Sequence, residues 1–79
     1  QIVVDGDIQV WARPLADGSQ AVGIFNLGEK DTTVDFSRYF EALGIKEPSN
    51  IRDLWRQTDL HDAEWKIPTH GVRLLKVTP

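Results

Sequence analysis

The sequence predicts an all-β fold, a small antiparallel sandwich or barrel carrying one short helical segment. Three observations predict it. Short runs rich in Val, Ile, Thr and aromatic residues recur at close spacing. Gly, Asp, Asn and Pro separate these runs. The pattern gives way to a helical one between Ser37 and Leu43. With 79 residues the chain accommodates a single domain.

The elements follow in order. Gln1 to Val4 is a β-branched run closed by the turn dipeptide Asp5-Gly6, and Ile8 to Leu15 reads as the next strand. Ala16-Asp17-Gly18-Ser19 is a turn, and Gln20 to Asn26 returns as a strand. Asp-Gly between two apolar runs is a strong hairpin signal, because both central residues of a type I′ turn need positive φ. Leu27 to Asp31 is a polar loop, and Thr32 to Phe36 alternates again. Ser37 is placed to cap a short helix with Tyr39, Phe40 and Leu43 on one face and Gly44 as its stop. After the loop Pro48-Ser49-Asn50, Ile51 to Trp55 reads as a strand and Arg56 to Asp62 as irregular polar chain. Trp65 to Ile67, a turn at Pro68 to Gly71 and a last strand from Val72 to Val77 complete the fold.

The hairpin carries a further expectation. A loop of two or four residues centred on Asp17-Gly18 pairs Val10 with Phe25 and Trp11 with Ile24. One face then holds Val10, Ala12, Pro14, Ala21, Gly23 and Phe25, and the other holds Trp11, Leu15, Val22 and Ile24 with Arg13 among them. Both faces are apolar, whereas a free-standing antiparallel sheet keeps one face polar. Either the helix or a loop covers the surplus face, or Trp11, Leu15, Val22 and Ile24 form a docking surface. The docking surface also predicts self-association of the domain when it stands alone.

Composition excludes several function classes. The net charge of −3, with nine Lys and Arg scattered along the chain, is no footprint for nucleic acid. No apolar run approaches the roughly 18 residues of a membrane span, so no membrane partner is expected. There is no cysteine, which removes disulfides and thiolate metal sites. The chain also lacks Met, and Gln1 reads as a boundary or processing site of a longer product. Leu74 to Pro79, a strand followed by a stop, reads as the end of a last domain.

Candidate chemistry is sparse. Asp53, Asp59, Asp62 and Glu64 are the densest of the twelve carboxylates. A glycosidase pair needs two carboxyls facing across a cleft at roughly 5 to 10 Å, and nothing in this spacing marks one. His61 and His70 lack the neighbours that nucleophilic catalysis or metal binding requires. No catalytic residue, cofactor site or metal site is therefore expected. The three tryptophans offer two readings, a sugar-stacking platform or core packing of Trp55 and Trp65 with Trp11 at an interface. The neighbours Ile51 and Leu54 favour the core for Trp55.

Three blocks are more specific. Val10 to Ser19 (VWARPLADGS), continuing through Ala21-Val22 to Phe25-Asn26, resembles the C-terminal β-domain of family 27 glycoside hydrolases, the α-galactosidase (melibiase) family. Ile51-Arg52-Asp53-Leu54-Trp55 agrees in order and spacing. So does Ile67-Pro68-Thr69-His70-Gly71-Val72, running into Leu74-Leu75. Asp17, Gly18, Asn26, Asp53, Trp55, His70 and Gly71 carry the turn and core part of the likeness. The resemblance implies a Greek-key-like antiparallel β-sandwich packed on the (β/α)8 barrel of a parent chain. In that family the nucleophile and acid/base aspartates lie on the barrel, so no catalytic role transfers to this chain. The parent's substrate is left open among α-galactosides, α-N-acetylgalactosaminides and β-arabinopyranosides.

Overall fold

Eight strands form two sheets in a computed structural model that describes residues 2–46 and 48–79; Gln1, expected in the first strand, lies outside the described residues. The strands are β1 (Ile2–Asp5), β2 (Ile8–Pro14), β3 (Gln20–Asn26), β4 (Thr32–Asp35), β5 (Asn50–Asp53), β6 (Thr58–Leu60), β7 (Glu64–Ile67) and β8 (Val72–Thr78). A 3-10 turn at Phe36–Tyr39 runs into the single helical turn α1 (Phe40–Leu43). The larger sheet has the order β1-β2-β3-β8-β5-β6, and β4 pairs with β7 in the smaller one. Every pairing is antiparallel. The fold is the expected small β-sandwich with one short helical segment.

The core lies between the large sheet on one side and the β4–β7 pair with the helical segment on the other. From the large sheet come Ile8, Val10, Ala12, Val22, Ile24, Ile51, Leu75 and Val77. Val34, Phe36, Tyr39, Leu43, Ile45 and Ile67 meet them, with Trp65 packed at the margin. Phe36 is fully buried and stacks edge-on against Phe40 at 5.1 Å. These side chains are large and branched enough to close a core without disulfide or metal.

The β2–β3 register differs from the expectation by one residue. Val10 pairs with Ile24, Trp11 with Gly23 and Pro14 with Gln20. The reason is the turn. The Leu15 N–H donates to the Ser19 carbonyl at 2.8 Å and the Gly18 N–H to the Leu15 carbonyl at 3.2 Å. Gly18 takes φ +88°. This is the three-residue loop in which a glycine with positive φ follows a turn and forms a bulge. Asp-Gly therefore does not mark a two-residue turn here, and the odd loop moves every β3 side chain to the opposite face. Val22 and Ile24, expected on the surplus face, are core residues at 2% and 0% exposure.

Three further corrections concern local structure. Asp35, not Ser37, caps the helical segment, its carboxylate accepting the Ser37 N–H at 3.0 Å. Gly44 does end the helix, at φ +71°. The strand expected from Ile51 to Trp55 stops at Asp53, and residues 54–57 turn the chain into β6, which sequence reasoning left as irregular polar chain. Trp55 is consequently not a core residue but stands 77% exposed on that turn.

The helical segment is tied to β1 by the Tyr39 hydroxyl, which donates to Asp5 Oδ2 at 2.8 Å. Burial, together with the neighbouring Asp5 carboxylate, pushes the phenol up to about 12. The sign follows directly: the folded phenol is a weaker acid than the unfolded one. Its contribution to stability is complete below pH 10 and is lost as pH rises through about 12. Urea melts at about pH 9 and about pH 11 are expected to show a larger loss for the parent sequence than for Tyr39→Phe.

Candidate interdomain face

The outer surface of the large sheet is laid out in rows by its register. One row runs Ile2, Trp11, Gly23, Leu74, and the next runs Val4, Gln9, Phe25, Val72. A third row runs Arg13, Ala21, Lys76, Arg52. The first row is thus apolar, the second is apolar apart from Gln9, and the third is largely cationic. Trp11 is 49% exposed, and Ile2, Val4, Leu54 and Val72 are likewise exposed. Neither the helix nor a loop covers this face among the described residues.

Local chemistry shapes the middle of the face. The Phe25 ring meets Trp11 edge-on, with centroids 6.4 Å apart. It lies so close over β3 that a Cβ on Gly23 would sit 3.0 Å from Phe25 Cε1. The missing side chain leaves a shallow groove of about 270 Å³, lined chiefly by Trp11, Ala21, Gly23, Phe25, Leu54 and Leu74. Lys76 and Arg52 on the cationic row are neutralised by Asp17 and Asp59, each at 3.0 Å. The Ser19 hydroxyl and N–H, with Lys76, hold the Asp17 carboxyl well below the usual carboxylate range. Asn50 and Arg52 lower Asp59 in the same way. An apolar centre with a charged margin is the anatomy of a protein–protein contact.

The expected docking residues divide. Trp11 is on this face, and Leu15 lies at the start of the hairpin loop, 37% exposed. Val22 and Ile24 point the other way, into the core. Phe25, Leu54, Val72 and Leu74 were not expected here. The odd hairpin loop reveals Phe25, and the adjacent pair Leu74-Leu75 reveals that one leucine must face outward.

The remaining singled-out residues build turns. Asn26 is fully buried: its amide donates to the carbonyls of Lys30 at 2.8 Å and Ile67 at 3.0 Å, and its oxygen accepts the Gly28 N–H at 3.0 Å. Asp53 Oδ1 accepts the N–H groups of Trp55 and Arg56, both at 2.9 Å, while Oδ2 meets Arg73 Nη1 at 3.2 Å. The Arg73 guanidinium lies 5.2 Å from the centre of the Trp65 ring. Trp65 also packs at 5.9 Å on Phe36, so it is no part of an exposed platform. His70 sits at φ +57° in the turn closed by the Gly71 N–H on the Pro68 carbonyl at 2.8 Å. His61 is exposed beyond β6. Asp62 and Glu64 are exposed as well, and no group of three or more potential metal ligands forms among the described residues.

Comparison with known proteins agrees with this architecture. Residues 5–77 match the family described as the alpha galactosidase C-terminal beta sandwich domain. A probable alpha-galactosidase of Dictyostelium discoideum is 32% identical over 77 residues, covering 90% of this chain and 20% of that protein. The isomalto-dextranase of Arthrobacter globiformis is 34% identical over 79 residues, covering 92% of this chain and 12% of that protein. Among solved structures, the family 27 β-L-arabinopyranosidase of Geobacillus stearothermophilus superposes with a TM-score of 0.78 at 33% identity, over 95% of this chain and 18% of that one. The chain thus spans about a fifth or less of these proteins. It corresponds to their small accessory domain and not to the catalytic core. The chain belongs to the alpha-galactosidase C-terminal β-sandwich domain family.

Proposed function

We propose that this chain is the non-catalytic C-terminal domain of a larger glycoside hydrolase, set with its outer sheet face against the catalytic (β/α)8 barrel of the parent enzyme. The observation that carries this reading is the contiguous apolar surface of Ile2, Trp11, Phe25, Leu54, Val72 and Leu74 on the sheet face turned away from the domain's own core. Relatives in which such a domain is about a fifth of the chain supply a partner of the right kind. The parent would hydrolyse terminal α-galactosides, as the name of the Dictyostelium relative indicates. The domain's part is to cap the barrel and keep water from an apolar patch on it.

The test is Trp11→Lys, made both in this chain and in the full-length protein. A half-exposed residue contributes little to the isolated domain, so the chain alone is expected to melt within about 0.5 kcal/mol of the parent sequence. Its self-association, measured by sedimentation, is expected to weaken. In the full-length protein the same change buries a lysine at an apolar contact and is expected to cost about 2 to 4 kcal/mol of interdomain coupling. Equal stability of the two full-length proteins would overturn the reading.

A second reading, a carbohydrate-binding module, is favoured by one observation, the 77% exposure of Trp55. Titration with galactose or galactomannan, followed by tryptophan fluorescence, separates the two. A flat response at millimolar sugar leaves the accessory role standing.

A further inference from the structure

We propose that Trp55 is a second anchor of the same interdomain contact, seated in an apolar socket rimmed by carboxylates on the catalytic part of the parent chain. This rests on the accessory-domain reading above and adds a residue and a partner chemistry to it.

The first ground is presentation. Trp55 is the most exposed of the large hydrophobic side chains described, yet its backbone is firmly held. Asp53 Oδ1 accepts both the Trp55 and Arg56 N–H groups, and the Leu54 N–H donates to the Leu74 carbonyl at 2.9 Å. Asp53 is itself held, its carboxylate buried against Arg73. A turn fixed in this way presents a large aromatic side chain with little backbone entropy left to lose on contact. Tryptophan is among the residues most enriched at the energetic centres of protein contacts.

The second ground is charge. A concavity of about 350 Å³ beside Trp55 is walled by Asp53, Arg56, Lys66, Arg73 and Leu74 among others. That is three cations against one carboxylate, in a chain whose net charge is −3. Asp53 is already committed to Arg73. Among the described residues Lys66 has only a long, exposed pairing with Asp31 at 3.8 Å, and Arg56 makes no ion pair within 4.0 Å. The unmatched positive charge selects an acidic surface as its partner.

The third ground separates a protein partner from a sugar. A neutral sugar presents hydroxyls that need both donors and acceptors around the stacking ring. Among the described residues, the side chains lining this concavity offer cationic donors, and their one carboxylate, Asp53, is 4% exposed and already accepts from Trp55, Arg56 and Arg73; no Ser, Thr, Asn or Gln is among them. Leu74 walls this concavity as well as the groove of the outer face, and Leu54 precedes Trp55. The contact therefore continues from the sheet face around its end onto the turn.

The experiment uses Trp55→Ala, Trp55→Phe and Arg56→Glu, each in this chain and in the full-length protein, with melting followed by calorimetry. In this chain alone all three are expected to melt close to the parent sequence, because the Trp55 and Arg56 side chains are largely exposed in this domain. In the full-length protein Trp55→Ala is expected to lower the transition by about 4 °C. Trp55→Phe should recover part of this, and Arg56→Glu should give a loss that shrinks at high salt. An equal drop in the isolated chain would overturn the proposal by making Trp55 a structural residue. A sugar-dependent fluorescence change abolished by Trp55→Ala would overturn it in favour of a sugar platform. If Trp55→Ala is silent in the full-length protein while Trp11→Lys is not, this inference alone fails. If both are silent, the accessory-domain reading fails with it.

Discussion

Replacing Asp53 by alanine is expected to destabilise the domain by about 3 to 5 kcal/mol, the usual cost of removing one partner from a buried ion pair. The Asp53 side chain is 4% exposed and that of Arg73 is 16% exposed. Without Asp53 the guanidinium stays against Trp65 with no counter-charge, and the N–H groups of Trp55 and Arg56 lose their acceptor. A domain of this length has roughly 4 to 12 kcal/mol of stability in total, so the variant should be largely unfolded well below the parent's melting point. Asp53→Asn keeps an acceptor oxygen but not the charge, and is expected to fall between the two. Urea denaturation followed by circular dichroism gives the comparison. A loss below about 1 kcal/mol for the alanine variant would place the pair in the class of screened surface bridges.

Asn26 is the second site of large effect. Its side chain satisfies three backbone groups, those of Gly28, Lys30 and Ile67, in a position with no solvent exposure. Asn26→Leu is nearly isosteric but removes its bond to all three, leaving the Lys30 carbonyl only the long bond from the Thr32 hydroxyl at 3.3 Å, at a cost of about 2 to 4 kcal/mol. Asn26→Asp is expected to be worse at neutral pH. A carboxylate would then face two carbonyl oxygens in a dry site, and charged groups are the costlier ones to bury unmatched. Acid should partly rescue the aspartate variant, by protonating it into a donor, and should leave the leucine variant unchanged. Chemical denaturation at neutral and mildly acidic pH distinguishes them.

Much of this architecture was legible in the sequence because strands, turns and caps have local causes. The alternating runs at Ile8 to Leu15, Gln20 to Asn26 and Val72 to Val77 correspond to β2, β3 and β8, and Gly44 ends the helix where expected. The failures arose where local chemistry has two solutions. Asp17-Gly18 suits a two-residue turn or a three-residue loop with a bulge, and the choice changes the register by one residue. That single residue exchanged Val22 and Ile24 for Phe25 on the outer face. Trp55 follows Ile51 and Leu54 and so reads as a strand residue. Asp53 ends the strand by accepting the next two free N–H groups, a local hydrogen bond that hydropathy does not register. Strand β6 was missed because Thr58-Asp59-Leu60 contributes only one apolar side chain and owes its conformation to pairing with β5. An apolar outer face was legible from Trp11 and the surplus of apolar residues in the hairpin; its membership depended on the register.

Oxidative footprinting of the full-length protein and of this chain alone is the most direct measurement of whether the outer sheet face is covered. Trp11, Phe25, Leu54 and Leu74 are expected to be strongly protected in the full-length protein and reactive in the isolated chain, kept dilute enough to be monomeric. His61, exposed beyond β6, serves as the internal reference and should react alike in both. Equal reactivity of Trp11 and Leu74 in the two proteins would mean that the face stays in water, and would contradict the accessory role argued from it.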